Sequence, residues 1–130
     1  MRLLLDTNAL LYHSSNSNRL SEEAYRLIDH PETQVYVSIV TPAELACLAR
    51  RGRFSGDLPW NDWFRKVITQ NQWQCLDITW DIIDEAFSLP DPMHHDPADR
   101  IIVATGRRHG LTLVTSDRRL LESSLLPCLS

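Results

Sequence analysis

The sequence predicts a three-layer α/β/α fold built on a central, mostly parallel sheet of four or five strands. Three observations carry that expectation. Short apolar runs alternate along the chain with segments of helical spacing, the order that produces parallel strands linked by helices. The runs are apolar throughout instead of alternating with polar residues, as strands buried on both faces are. Helix start and stop signals also fall at the expected boundaries.

Arg2 to Asp6 is an apolar run closed by an acid, so it reads as a buried first strand with a polar tip. Ser21 is placed to cap a helix through about His30, with Glu22 and Glu23 in its first turn and Pro31 as its stop. Gln34 to Val40 is rich in β-branched and apolar residues and reads as a second strand. Thr41 then opens a helix, with Pro42 in first position and Glu44 completing a capping box; Gly52 ends it after Arg51. Trp60, Trp63, Phe64, Val67 and Ile68 recur at helical spacing and form one apolar face, read first as core. Cys75 to Ile78 is a short third strand, and Thr79 caps a helix carrying Ile82, Ile83, Ala86 and Phe87. Pro90 and Pro92 make the next stretch a loop. Asp96 and Pro97 begin a helix that runs to His109 and stops at Gly110. Leu111 to Thr115 is the fourth strand, Ser116-Asp117 leads into a short helix through Leu121, and Pro127 to Leu129 is a candidate edge strand.

A chain of 130 residues has the size of one domain, and no repeat or flexible linker divides it, so residues 1–130 are expected to form a single unit. Its apolar runs are too short to cross a bilayer, and the first is interrupted at Asp6 in place of a secretory leader. The expected location is therefore the cytoplasm. Cys47, Cys75 and Cys128 form no paired motif and read as small buried apolar residues. The net charge of −4 is unlike that of a nucleic-acid binder, but twelve of the thirteen basic residues are arginine. Arginine's planar donor fork suits phosphate.

The acids carry the chemistry. Asp6 ends the first strand, Glu44 follows the second, Asp117 follows the fourth, and Asp96 and Asp99 open the helix before the fourth. In a parallel sheet these are candidates for one rim, the one at which ligands bind. Carboxylates gathered there repel one another unless a divalent cation lies between them, and an all-oxygen set suits Mg²⁺ or Mn²⁺. Such a cation activates water and stabilises charge in phosphodiester hydrolysis. Glu44, Asp96, Asp99 and Asp117 each have an ordinary explanation as well, in capping or in a dipole-favoured first turn. Asp6, directly after three leucines, has little structural reason to be there.

Other chemistries fit less well. No glycine-rich phosphate loop and no nucleophile elbow is present. The adjacent His94 and His95 read as surface or supporting residues. A receiver-type Mg²⁺-binding signalling domain needs a lysine at a late strand end, and the sole lysine, Lys66, falls inside a helix.

Leu3-Leu4-Leu5-Asp6-Thr7-Asn8, Ser38 with Glu44, His95-Asp96-Pro97-Ala98-Asp99-Arg100 and Thr115-Ser116-Asp117 together resemble the PIN domain. More narrowly, they resemble the VapC-type ribonuclease toxins of type II toxin–antitoxin systems. The resemblance spans essentially the whole chain. It implies a Mg²⁺- or Mn²⁺-dependent endoribonuclease with Asp6, Glu44, Asp99 and Asp117 as the acidic site residues, and Asp6 and Asp99 as direct metal ligands. Asp96 would be an auxiliary acid or a cap. Asn8, Thr115 and Ser116 would orient the acids by hydrogen bonds. Asn8 departs from the histidine frequent in the nearest subgroup. The resemblance also implies an RNA substrate, a homodimer and a cognate antitoxin, for which Trp60, Trp63 and Phe64 offer a candidate surface. A PIN-like fold kept only for binding is the alternative.

Overall fold

The computed structural model describes residues 1–90 and 96–130. Five strands form one sheet: β1 (Arg2–Leu5), β2 (Gln34–Ser38), β3 (Gln74–Leu76), β4 (Thr112–Val114) and β5 (Cys128–Leu129). All neighbouring pairs are parallel, in the order β3-β2-β1-β4-β5. The predicted edge strand is β5, beside β4. Seven helices accompany the sheet among the described residues: α1 (Thr7–Ser14), α2 (Glu22–Ile28), α3 (Val40–Arg50), α4 (Trp60–Asn71), α5 (Trp80–Ser88), α6 (Pro97–His109) and α7 (Arg118–Glu122).

The three leucines of β1 explain the layering. Leu3, Leu4 and Leu5 are all fully buried, and successive side chains leave opposite faces of a strand. Leu3 and Leu5 join a core with Ala9, Leu10, Ala24, Ile28, Leu45, Phe64 and Val67, drawn from α1, α2, α3 and α4. Leu4 joins Ile102, Val103, Leu113 and Leu120 on the other face. A third cluster of Ile82, Ala86, Ile101 and Ala104 packs α5 on α6. An uninterrupted apolar triplet is therefore what a strand between two helical layers requires.

Most helix boundaries follow the predicted signals. Ser21, Thr79 and Asp96 cap α2, α5 and α6 with their side chains. Gly110 ends α6 at φ 64°, and Gly52 follows α3 at φ 68°; at such left-handed positions a Cβ would be strained.

Several expectations are corrected. Helix α1 was not foreseen, because Ala9, Leu10, Leu11 and Tyr12 run consecutively and show no helical period. Helix α3 starts at Val40, with Ile39 at its N-cap and no side-chain cap there. The capping box of Thr41 and Glu44 is therefore not formed; the Ser38 hydroxyl instead accepts from the Val40 N–H at 3.1 Å. Cys47 is exposed and Cys75 and Cys128 are only half-buried, so none is a fully buried apolar residue. Phe64 is buried, and Trp60 and Trp63 pack partly on the core. Trp80, at 88% exposure, together with Ile83 and Phe87, is where α5 presents large apolar side chains to solvent. The loop expected around Pro92 and the reading of His94 and His95 lie outside the described residues. No helix among the described residues is long and apolar enough to cross a membrane.

Candidate active site

The strand order reverses at β1, since the chain moves outward to β2 and β3 and then crosses to β4 on the other side. In parallel sheets ligands bind beyond the C-terminal strand ends, where the strand order reverses. Asp6 leaves β1 there, and Thr115 with Asp117 leaves β4.

Asp6 is buried, at 9% exposure. Its Oδ1 accepts from the Ala9 N–H at 2.8 Å, so it caps α1; contrary to the sequence expectation, this acid does have a structural task. The cap is a small part of its situation. Burial raises its pKa from 3.8 to about 6, opposed by hydrogen bonds from Thr115 and Ala9 and reinforced by the charges of Asp99 and Asp117. A capping carboxylate at an exposed helix end would be favoured in its ionised form. Asp6 is instead disfavoured as an anion, because water has been removed and like charges surround it.

Glu44 is half-buried in α3 and is held across the site, not by its own helix. The Thr7 hydroxyl donates to Glu44 Oε1 at 2.5 Å, and Thr7 Oγ1 lies 3.1 Å from Thr41 Oγ1. Thr7 has one hydroxyl proton, so while it donates to Glu44 the Thr41 hydroxyl must donate to Thr7. Burial raises the Glu44 pKa, Thr7 lowers it, and the charges of Asp96 and Asp6 raise it further. Asp6 is thus coupled to Glu44 on one side and to Asp99 and Asp117 on the other.

Asp96 caps α6 through Ala98 N–H at 2.9 Å, and Asp99 stands in the first turn of that helix. Asp117 accepts from Arg119 N–H at 2.9 Å and caps α7. Thr115 is fully buried; its hydroxyl accepts from the Asp117 N–H at 3.1 Å and serves Asp6 as well. Asn8 and Ser116 are exposed at the margin, each next in sequence to a buried threonine. Burial pushes the Cys128 thiol up to about 11, with the Asp6 charge adding to it, so it stays protonated and is a poor ligand or nucleophile.

Asp6 thus feels the charges of Asp99 and Asp117, and Glu44 those of Asp96 and Asp6. Thr7 and Arg100 were not singled out by sequence reasoning, although Thr7 follows the strand-tip acid and Arg100 follows Asp99 in the quoted motifs. Among the described residues, no group of three or more His, Cys, Asp or Glu side chains is arranged to hold a metal ion. Mg²⁺ seldom needs such a group, since it is commonly held by one or two carboxylates, with water and substrate phosphate completing its shell. A buried Asp6 carboxylate that feels the like charges of Asp99 and Asp117 fits a hard divalent cation in kind and in charge.

A family profile described as the PIN domain matches residues 3–123. Ribonuclease VapC22 of Mycobacterium tuberculosis (strain ATCC 25618 / H37Rv) is 35% identical over 118 residues, covering 91% of this chain and 88% of the relative. The fold is similar to that in the structure of VapBC2 from Rickettsia felis bound to a promoter DNA fragment. There the TM-score is 0.70 at 15% identity, covering 98% of this chain and 97% of that one. It is also similar to FitAcB from Neisseria gonorrhoeae, with a TM-score of 0.67 at 21% identity over 98% and 96% of the two chains.

Proposed function

The chain belongs to the PIN domain family, and from that premise we propose that it is a VapC-type ribonuclease, the toxin of a type II toxin–antitoxin pair. The observation that carries the reading is the coupling of a desolvated Asp6 to Glu44, Asp99 and Asp117 at the strand-reversal rim. Burial and the like charges of Asp99 and Asp117 oppose ionisation of Asp6, an electrostatic cost that a divalent metal bridging to a phosphodiester would relieve.

In this reading Asp6 and Asp99 hold Mg²⁺ or Mn²⁺, and Asp117 and Asp96 deepen the negative potential that draws the cation in. A cation bound there supplies Lewis-acid stabilisation of the charge that develops on the phosphoryl oxygens. Thr115 orients the Asp6 carboxylate. Glu44, with its raised pKa and its Thr7 hydrogen bond, accepts a proton from the attacking water. The water oxygen forms a bond to phosphorus as the bond to the departing ribose oxygen breaks. Asn8 and Ser116, both exposed, would contact the RNA or metal-bound water.

The reading includes cytoplasmic action on RNA, a homodimer and a cognate antitoxin that blocks the rim. The test is cleavage of structured RNAs by purified protein in Mg²⁺, in Mn²⁺ and in EDTA. Metal-dependent cutting that disappears in EDTA, and in Asp6→Asn and Asp99→Asn variants that still fold, is the expected result. RNA bound but left intact in both metals would make the chain a binding module instead. Light scattering on the purified chain checks the dimer.

A further inference from the structure

Arg100 sits one residue after Asp99, in the first turns of α6. Local physics disfavours it there. A cation near a helix N-terminus opposes the helix dipole, and a buried guanidinium loses its hydration. Yet Arg100 is buried, at 8% exposure. Its Nη1 donates to the carbonyl oxygens of Ala86 at 3.1 Å and Leu89 at 3.2 Å. These belong to the last turn and C-cap of α5 (Trp80–Ser88, Leu89), where carbonyls lack helical partners and carry partial negative charge.

The site reading above, on which this inference rests, makes the location informative. The turn that bears Asp96 and Asp99 is joined to the end of α5 by directed hydrogen bonds from a buried cation. The packing of α5 on α6 does not depend on this tie, since Ile82, Ala86, Ile101 and Ala104 already form an apolar seam between the helices. What the guanidinium adds is a fixed position for the first turn of α6, at the rim where Asp99 acts on Asp6. We propose that Arg100 is a positioning residue of the active site: by clasping the C-terminal carbonyls of α5 it sets where the Asp96–Asp99 turn presents its carboxylates to a divalent cation.

Three variants of the purified chain test this. Arg100→Met keeps the apolar stem and removes the clasp. Arg100→Lys keeps a cation with several donors, and Ile82→Val loosens the seam without touching the clasp. Three quantities are read on each: Mn²⁺ affinity by calorimetry, kcat and KM for RNA cleavage, and amide hydrogen exchange at Ala98 and Arg100, whose N–H groups bond to Asp96. Arg100→Met should weaken Mn²⁺ binding by about 10- to 100-fold, as loss of a partner that orients a ligand does. Its kcat should fall by more than KM changes, and the two amides should exchange several-fold faster while β1 amides stay protected. Arg100→Lys should recover most of each loss. Ile82→Val should lower the melting temperature and leave Mn²⁺ affinity unchanged. Parent-like Mn²⁺ binding and amide exchange in Arg100→Met would overturn the proposal, as would an equal loss of Mn²⁺ affinity in Ile82→Val. If the parent chain itself neither binds Mn²⁺ nor cuts RNA, the nuclease reading fails, and with it the catalytic meaning of the clasp; unchanged exchange would remove the clasp itself.

Discussion

The two ends of β1 carry charges of opposite sign, and the fold treats them in opposite ways. At the start of the strand Arg2 is exposed; it lies over the Tyr36 ring, 5.4 Å from its centroid, and donates to the His109 carbonyl at 2.9 Å, at the end of α6. Both contacts suit a cation. At the other end Asp6 is buried among Asp99, Asp117 and Glu44, where its pKa is driven to about 6. Three fully buried leucines separate a charge that is locally satisfied from one that is locally opposed. Stability explains the first arrangement and not the second, so the opposed end is the one to test for chemistry.

Removing the opposed charge should have the largest effect. Asp6→Asn keeps the shape and an oxygen acceptor for the Ala9 N–H, and should reduce Mg²⁺-supported RNA cleavage by at least about 10³-fold, because the acids act as a unit. The same variant should be more stable than the parent in EDTA at pH 7, since a desolvated anion has been removed. Cleavage assays and melts on one preparation measure both. Parent-like cleavage would remove Asp6 from the mechanism, and a lower melting temperature in EDTA would contradict its being electrostatically opposed.

A smaller loss is expected one residue further on. Thr7→Val preserves the side-chain shape but leaves the Glu44 carboxylate without its hydroxyl donor and Thr41 without its acceptor. A decrease of about 10- to 100-fold in kcat is expected, with near-complete recovery in Thr7→Ser. Equal loss in the valine and serine variants would mean that packing, and not the hydroxyl, is what Thr7 contributes.

How far this site was legible in the sequence depends on the range of each interaction. Asp6, Asp96, Asp99 and Asp117 could be placed on one rim because each sits at an element end that local pattern marks: a leucine triplet, an Asp-Pro start, a strand followed by Thr-Ser-Asp. The sheet was legible for the same reason. Glu44 was assigned to the rim from its position just past the second strand; the capping box that Thr-Pro-Ala-Glu offered as its ordinary explanation is not formed, and its partner, Thr7, belongs to another helix. Neither Thr7 nor Arg100 has a local signature, because what defines them are hydrogen bonds to distant segments. Helix α1 was missed because its anchoring is at one end: Asp6 caps it and only Thr7, Ala9 and Leu10 are buried.

The contrast between the ends also has a pH signature. In metal-free protein the folded chain holds the Asp6 proton up to about pH 6, whereas the unfolded chain releases it near 3.8. The stability this gives is therefore fully present below about pH 4 and lost as pH rises through 6. Its size is on the order of 2–3 kcal/mol at about 1.4 kcal/mol per unit. Other carboxylates titrate over the same range, so the informative quantity is the difference between parent and Asp6→Asn in EDTA. That difference should shift in favour of the variant between pH 4 and 6 and stay flat above. Saturating Mg²⁺ should reduce the shift, because a bound cation stabilises the carboxylate. A difference curve without slope in EDTA would mean that Asp6 ionises as an ordinary aspartate.

The smallest effect belongs to the satisfied end. Arg2 is exposed, and its contacts are one cation–π approach and one hydrogen bond to a helix C-terminal carbonyl, worth together roughly 0.5–1 kcal/mol at a solvated position. Arg2→Ala should therefore lower stability by no more than about that amount, with RNA cleavage and Mn²⁺ affinity unchanged, since Leu3, Leu4 and Leu5 hold β1 in register whether or not its first residue is charged. Denaturant melts with parallel cleavage assays make the measurement. A loss of activity out of proportion to the loss of stability would show that the two ends of the strand are coupled through it. The acid rim would then owe its arrangement to the whole length of β1, and not to the hydroxyls and helix ends gathered around Asp6.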